Sequence, residues 1–260
     1  MTERLQPRRP PFDVTSCRGS ASCAGDAPGR GGGCPHMILD PGDLAGRISV
    51  LLRRRLNAHQ SHSAHNVLRV ALSGCPNSCS QPQIRDFGLQ ARSPVEITES
   101  PCLYCGACID ACPERFVELT DAGPRFSDDC LSCGRCVKAC PSGTLRNGAP
   151  GWTLLAGGKL GRIPRLAVPI GHYLDDDDVM ERIEAILTAY LDADEGEEAE
   201  KDDTERRTAQ RARVNPRKPG ERLRTWLDRT KWAANLPAVT GKVLAEQTTD
   251  LRGKQKTSLG

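Results

Sequence analysis

The chain has 260 residues, 38% hydrophobic and only 4% aromatic, with a net charge of +3; this leaves room for one medium domain or two small ones and excludes a large aromatic core. Its 13 cysteines are an odd number, and the charged, proline-rich start MTERLQPRRPPFDV has no apolar leader segment, which excludes a fully paired secreted disulfide framework and predicts reduced, cytoplasmic thiols. No apolar run approaches the roughly 18 residues of a membrane span, and nothing in the sequence reads nucleic acid.

Residues 1–35 read as loop, rich in Gly, Pro, Ser and Arg, yet they carry Cys17, Cys23 and Cys34. The spacing of Leu44, Ile48, Leu51, Leu52 and Leu56 predicts an amphipathic helix from Asp43 to Leu56, capped by Asp40 or Asp43. Arg53, Arg54 and Arg55 on it face solvent or a partner, and His59, His62 and His65 fall in a polar surface loop. Asn66 to Leu72 reads as a buried strand that ends at the turn Ser73-Gly74 and delivers Cys75. Phe87–Leu89 and Val95–Thr98 are weaker strands, and Glu99 to Arg146 then holds eight cysteines in two similar halves. Trp152–Leu155 and Leu166–Ile170 read as strands around a glycine-rich loop. Asp175 to Asp178 cap a helix that continues through Ile183, Ile186, Leu187 and Tyr190. An acidic stretch and then a basic one follow Asp192, the block pattern of a solvated tail, with a short amphipathic piece near Leu223–Trp232 that docks back.

The two halves of the insert read Cys102-x2-Cys105-x2-Cys108-x3-Cys112-Pro113 and Cys130-x2-Cys133-x2-Cys136-x3-Cys140-Pro141. Gly106 and Gly134 follow the second cysteine of each run, where a loop wrapped around a cluster needs an unhindered backbone. Zinc knuckles also use C-x2-C, but they rarely pack four cysteines so closely twice over. Both runs resemble bacterial two-cluster ferredoxins, in which the fourth cysteine of each run serves the other cluster. The resemblance assigns Cys102, Cys105, Cys108 and Cys140 to one [4Fe-4S] cluster, and Cys130, Cys133, Cys136 and Cys112 to a second.

Five cysteines remain, and Ser73 to Gly88 (SGCPNSCSQPQIRDFG) carries Cys75 and Cys79 at C-x3-C spacing. This segment resembles the sirohaem-side motif of the nitrite and sulfite reductase family, which implies a third [4Fe-4S] cluster bridged by Cys79 to sirohaem. The family's upstream pair has C-x5-C spacing, as Cys17 and Cys23 do, while Gly33-Cys34-Pro35-His36 resembles the upstream segment of its short members. The pair is therefore open among Cys17, Cys23 and Cys34. Gly157 to Ala167 (GGKLGRIPRLA) resembles the glycine-rich basic segment near the end of the sirohaem domain in dissimilatory-type enzymes.

The resemblance implies an α+β fold: a sirohaem-reductase-type half-domain (1–98 and 147–192) interrupted by a two-cluster ferredoxin domain (99–146), with a charged, flexible tail (193–260). It implies electron transfer through the ferredoxin clusters to a sirohaem-coupled centre that reduces a small anion, sulfite or nitrite. The carboxylates of sirohaem and the anionic substrate call for cations, with Arg69, Arg85, Lys159, Arg162 and Arg165 as candidates and Lys159 and Arg162 closest to catalysis. Full-length family members have two halves and this chain has room for one, so a homo- or hetero-oligomer and an electron-donor protein or reductase subunit are expected as partners. The competing reading is a polyferredoxin electron carrier that lacks sirohaem; a redox or iron sensor is a third, supported only by the spare cysteine.

Overall fold

Period-two alternation and one apolar cluster organise the body of the chain. The computed structural model describes residues 10–17, 34–56, 67–192 and 222–230. In chain order the elements are β1 (Phe12–Ser16), α1 (Gly42–Leu56), β2 (Leu68–Ser73), a 3-10 turn (Pro82–Ile84), β3 (Phe87–Arg92), β4 (Val95–Ile97), α2 (Ala107–Asp110), β5 (Val117–Thr120) and β6 (Gly123–Phe126). There follow α3 (Arg135–Ala139), β7 (Leu145–Asn147), β8 (Gly151–Ala156), β9 (Val168–Leu174), α4 (Asp176–Asp192) and α5 (Leu223–Thr230).

The main sheet has the order β1-β2-β3-β8-β9, with β1, β2 and β3 parallel and β8 and β9 antiparallel. Leu68, Val70 and Leu72 of β2, Phe87, Leu89 and Ala91 of β3, and Trp152, Leu154 and Ala156 of β8 all enter one apolar core. Successive side chains of a strand point to opposite faces. Ser73, Gln90, Arg92 and Thr153 therefore lie on the other face, and that face receives the cysteine loops.

Helix α1 buries Leu44, Ile48, Leu51, Leu52 and Leu56 in this core, each worth roughly 1.5–3 kcal/mol when removed from water. Of the two caps expected, Asp40 is the one whose carboxylate accepts the first-turn N–H of Gly42, at 2.9 Å. Helix α4 packs beside α1 through Val179, Ile183, Ile186 and Leu187, and Asp175 caps it by accepting the Asp178 N–H at 2.8 Å. Two of the three arginines at the end of α1 serve this pairing: Arg54 meets Glu184 at 2.7 Å and Arg55 donates to Thr188 at 2.6 Å. Helix α5 docks through buried Trp226, edge-to-face with Tyr190 at 5.8 Å.

One expectation is corrected. Residues 12–16 are not loop but strand β1, in parallel register with β2 from Phe12↔Leu68 to Ser16↔Leu72. Phe12, Val14 and Thr15 are strand formers, and their run is too short and too closely bordered by proline and glycine to announce itself. His59, His62, His65 and most of the tail lie outside the described residues.

The insert leaves the body on a two-stranded stem, β4 with β7, closed by a Glu96–Arg146 ion pair at 2.7 Å. Its own buried cluster holds only Cys108, Val117, Cys136 and Leu145. Half of that core is cysteine.

Candidate metal centres

The first group of thiols forms where β1 and β2 end. Strand pairing continues past β1, with the Cys17 N–H donating to the Leu72 carbonyl at 2.8 Å, and this sets Cys17 beside Gly74, whose N–H points at the Cys17 sulfur at 3.2 Å. The turn 34–38 reaches the same place because the Ile38 N–H donates to the Gly74 carbonyl at 2.7 Å. Gly74 permits this approach; a Cβ there would run into the Leu39 carbonyl oxygen. The loop after Cys75 is fixed by Ser80, which bonds Ser73 Oγ at 2.6 Å and the Leu72 carbonyl at 2.8 Å. It turns through left-handed residues Ser78 and Gln81. Burial pushes the Cys75 thiol up, the Asn77 backbone opposes this, and charge on Cys34, Cys79 and Cys17 pushes it further up. Cys17, Cys34, Cys75 and Cys79 thus form one group, while Cys23 lies outside the described residues.

The insert gathers its eight thiols around two cavities. Cys112, Cys130, Cys133 and Cys136 line one of about 250 Å³, and Cys102, Cys105, Cys108 and Cys140 line a smaller one. In each case the fourth cysteine comes from the opposite run. The backbone repeats as the sequence does: left-handed residues recur at Tyr104 and Ser132, at Gly106 and Gly134, and at Arg115 and Gly143. Backbone N–H groups point at sulfur, Tyr104 to Cys102 at 3.4 Å and Phe116 to Cys112 at 3.3 Å. Burial raises the thiols of Cys108 and Cys130 and takes Cys136 up to about 12. Burial also acts to raise Cys140, but hydrogen bonds from Ser142, Leu145 and Thr144 outweigh it and lower that thiol. Among the described residues no group of three or more His, Cys, Asp or Glu is arranged around a single ion; a cubane instead offers one iron to each thiolate.

The two regions share a wall. The larger cavity is lined on one side by Cys112 and Cys130 and on another by Cys75, Asn77 and His36. Asn77 also donates its side-chain N–H to the Cys79 sulfur at 3.2 Å.

The basic candidates divide. Lys159 is half-buried in a hairpin closed by reciprocal 2.9 Å bonds with Arg165, and Arg162 is exposed at its tip among Leu160 and Ile163. This hairpin sits on the chain leaving the Cys79 loop, because a Cβ on Gly158 would stand 2.7 Å from the Arg85 carbonyl oxygen. Arg85 keeps a buried Nε with no hydrogen-bond partner, a donor of the kind a macrocycle carboxylate takes. Arg69 has its side chain exposed near the start of β2, away from Cys75, and its N–H donates to Asp86 at 2.9 Å. Arg165 donates to the Arg224 carbonyl at 3.2 Å, and Arg224 meets the buried Asp86 at 3.6 Å. Arg165 is thus engaged in anchoring α5, whereas the Arg69 guanidinium is exposed and only its backbone N–H meets Asp86. Sequence reasoning missed Asp86, Gln90 and Arg92; the alternation along β3, with Phe87, Leu89 and Ala91 apolar, was the signal that sets Gln90 and Arg92 on the cysteine-bearing face.

Twelve described thiols in three groups, each with amides or polar side chains turned towards sulfur, define the ligand chemistry of an iron–sulfur protein on an α+β scaffold. Residues 28–234 match the family described as "Nitrite and sulphite reductase 4Fe-4S domain", and the chain belongs to that family. Among curated relatives it is 28% identical over 102 residues to the coenzyme F420-dependent sulfite reductase of Methanocaldococcus jannaschii, covering 39% of this chain and 14% of that one. It is 33% identical over 66 residues to an anaerobic sulfite reductase subunit of Salmonella typhimurium, covering 25% and 19%. The chain therefore spans less than a fifth of either relative's length. In fold it resembles the crystal structure of dissimilatory sulfite reductase I, with a TM-score of 0.50 and 14% identity, over 91% of this chain and 55% of that one. No helix among the described residues is long and apolar enough to cross a membrane.

Proposed function

We propose that the chain is an electron-transferring subunit of a sulfite reductase, or of the related nitrite enzyme. On this reading it holds three [4Fe-4S] clusters and, beside the third, sirohaem. The observation that carries it is the partition of the thiols, with the fourth ligand exchanged between the two runs and the larger cavity walled in part by Cys75 and Asn77. Cys102, Cys105, Cys108 and Cys140 would hold the outer cluster, Cys112, Cys130, Cys133 and Cys136 the inner one, and Cys17, Cys34, Cys75 and Cys79 the third.

Cys79, exposed at the loop's outer edge, is the thiolate that would bridge to sirohaem. When bound, sirohaem supplies an open iron site for the multi-electron reduction of the anion. The chain's own part is positioning and charge. Arg85 offers its unpaired Nε to a carboxylate, and Lys159 and Arg162 bring cations to the hairpin seated on the Cys79 loop. Amide N–H groups directed at Cys17, Cys102 and Cys112 stabilise charge added to sulfur. A second copy or a partner protein would supply the other half of the pocket, and an external donor would enter at the outer cluster, beside exposed Leu103 and Tyr104.

The alternative, a carrier without sirohaem, is favoured by one observation: of the five basic candidates, Arg165 is engaged in anchoring α5 and Arg69 is exposed away from Cys75. Anaerobic purification separates the two. The reductase reading expects about thirteen irons per chain and a tetrapyrrole absorption, whereas about twelve irons with no tetrapyrrole leaves the carrier. About eight irons would remove the third cluster and with it the main proposal.

A further inference from the structure

Strand β3 carries two polar residues, Gln90 and Arg92, towards the cysteine loops. Gln90 is buried, and its side-chain amide donates to Ser78 Oγ inside the Cys75–Cys79 loop. Arg92 donates from Nη2 to Gln90 Oε1 at 3.1 Å. The next residue, Ser93, donates its N–H to the Ser132 carbonyl at 3.0 Å, inside the Cys130–Cys133 loop. The side chains of Ser78, Gln90 and Arg92 are thus linked from the Cys75–Cys79 loop along β3, and the backbone of the next residue, Ser93, reaches the Cys130–Cys133 loop.

Arg92 Nε is buried and has no hydrogen-bond partner. The groups nearest in charge to this guanidinium are the Tyr173 phenol and the Cys130 thiol, and no carboxylate of the described residues is among them. A half-buried cation without a carboxylate is costly, and a guanidinium does not escape that cost by losing its proton. A thiolate-ligated cluster, which is negatively charged, would offset it. Neither Lys nor Arg lines the outer cavity. Arg135 and Glu114 line the inner cavity with opposing charges; Arg92 is not in that lining and lies beside its wall, one residue from the Ser93 N–H that bonds Ser132.

We propose that Arg92 is a positioning residue for electron flow: its fixed positive charge favours the reduced form of the cluster held by Cys112, Cys130, Cys133 and Cys136. That cluster becomes the higher-potential one of the insert, and an electron from an external donor moves from the outer cluster inward, towards Cys75. The inference rests on the cluster assignment proposed above.

The test is an anaerobic redox titration of the full chain, reconstituted with iron and sulfide and reduced stepwise with dithionite, followed by electron paramagnetic resonance. The inner signal is identified as the one lost in Cys133→Ser. Arg92→Gln is expected to lower its reduction equilibrium constant about tenfold, the size expected of one charge roughly 10 Å away at an effective dielectric near 20. For a one-electron couple that is a shift of about 59 mV. The outer signal should not move, and Arg92→Lys, which keeps the charge, should recover most of the shift. Unchanged potentials in a fully loaded Arg92→Gln overturn the proposal. So does an equal loss in Arg92→Lys, or failure of both variants to assemble the cluster, since either makes the role one of packing. A wild-type chain with no inner signal fails the underlying assignment instead.

Discussion

Gly88→Ala tests the link between sheet and site most directly. Gly88 lies on the cysteine-bearing face of β3, and the 3-10 turn leaving the Cys79 loop rests against it. An added Cβ would stand 2.7 Å from the Pro82 carbonyl carbon and 2.9 Å from its Cβ, whereas ordinary contact begins at 3.4 Å. The turn would have to retreat by about 0.7 Å or more, and the obstruction is backbone, which cannot swing aside. Overpacking of this kind costs about 2–3 kcal/mol, a fall of roughly 5–10 °C in Tm for a chain of this size. The loss should be local: iron should drop from about twelve to about eight per chain, excluding any sirohaem iron, with the insert's paramagnetic signals unchanged. Gly46→Ala is the control, because Gly46 is exposed on α1 with nothing within 4 Å of an added Cβ. There the same substitution should stabilise by about 0.5–1 kcal/mol. Full iron and an unchanged Tm in Gly88→Ala would refute the claim that the sheet positions the Cys79 loop.

Cys79→Ser should abolish magnetic coupling between the third cluster and sirohaem while leaving the insert's clusters intact; coupling that survives by electron paramagnetic resonance means the bridge is elsewhere. Arg224→Ala should weaken the body by about 3 kcal/mol at neutral pH, because it leaves the buried Asp86 carboxylate without its cation. Burial already raises the Asp86 carboxyl, and Arg224 and the Arg69 N–H oppose that rise. The carboxyl is tolerated best when protonated, and that stability is lost as pH climbs through its folded-state pKa. The damage from Arg224→Ala should therefore grow from acid to neutral pH, and equal losses in denaturant melts at both ends would contradict it. Removal of iron with an anaerobic chelator should raise hydrogen exchange in residues 99–144 to that of an open chain while β2, β3 and β8 stay protected; protection retained throughout the insert would show that it folds without metal.

Local features were legible in the sequence and distant pairings were not. The stripe Leu44, Ile48, Leu51, Leu52, Leu56 and the cysteine runs at 102–112 and 130–140 are set by neighbours within a turn or two, so their spacing alone carried them. The strand at 12–16 is defined by its parallel partner, more than fifty positions along the chain. The grouping of Cys17 and Cys34 with Cys75 depends on that same pairing, together with the turn that brings residue 38 to Gly74. No local spacing encodes either. Arg165 looks like any other arginine in a glycine-rich context, and only the fold reveals α5 as what it holds and Asp86 as the partner of Arg224.

The low aromatic content has different consequences for the two parts of the chain. The body keeps large apolar residues where they count, with Trp152, Trp226 and Phe87 buried, and its core closes on a sheet and helices that need no metal. The insert has Val117 and Leu145 and little else apolar that is fully buried. Ordering some fifty residues around so small a core is unfavourable, so on the proposed assignment cluster assembly would supply much of the insert's stability. On the proposed assignment, the Glu96–Arg146 stem would join a metal-dependent module to a body with an apolar core of its own. The shared wall at Cys75 and Asn77 faces the cavity of the inner run, not the outer one. If the fold of the insert depends on its clusters, as proposed, the inner one would face the body only once assembled, which would couple the electron path to the assembly of the insert.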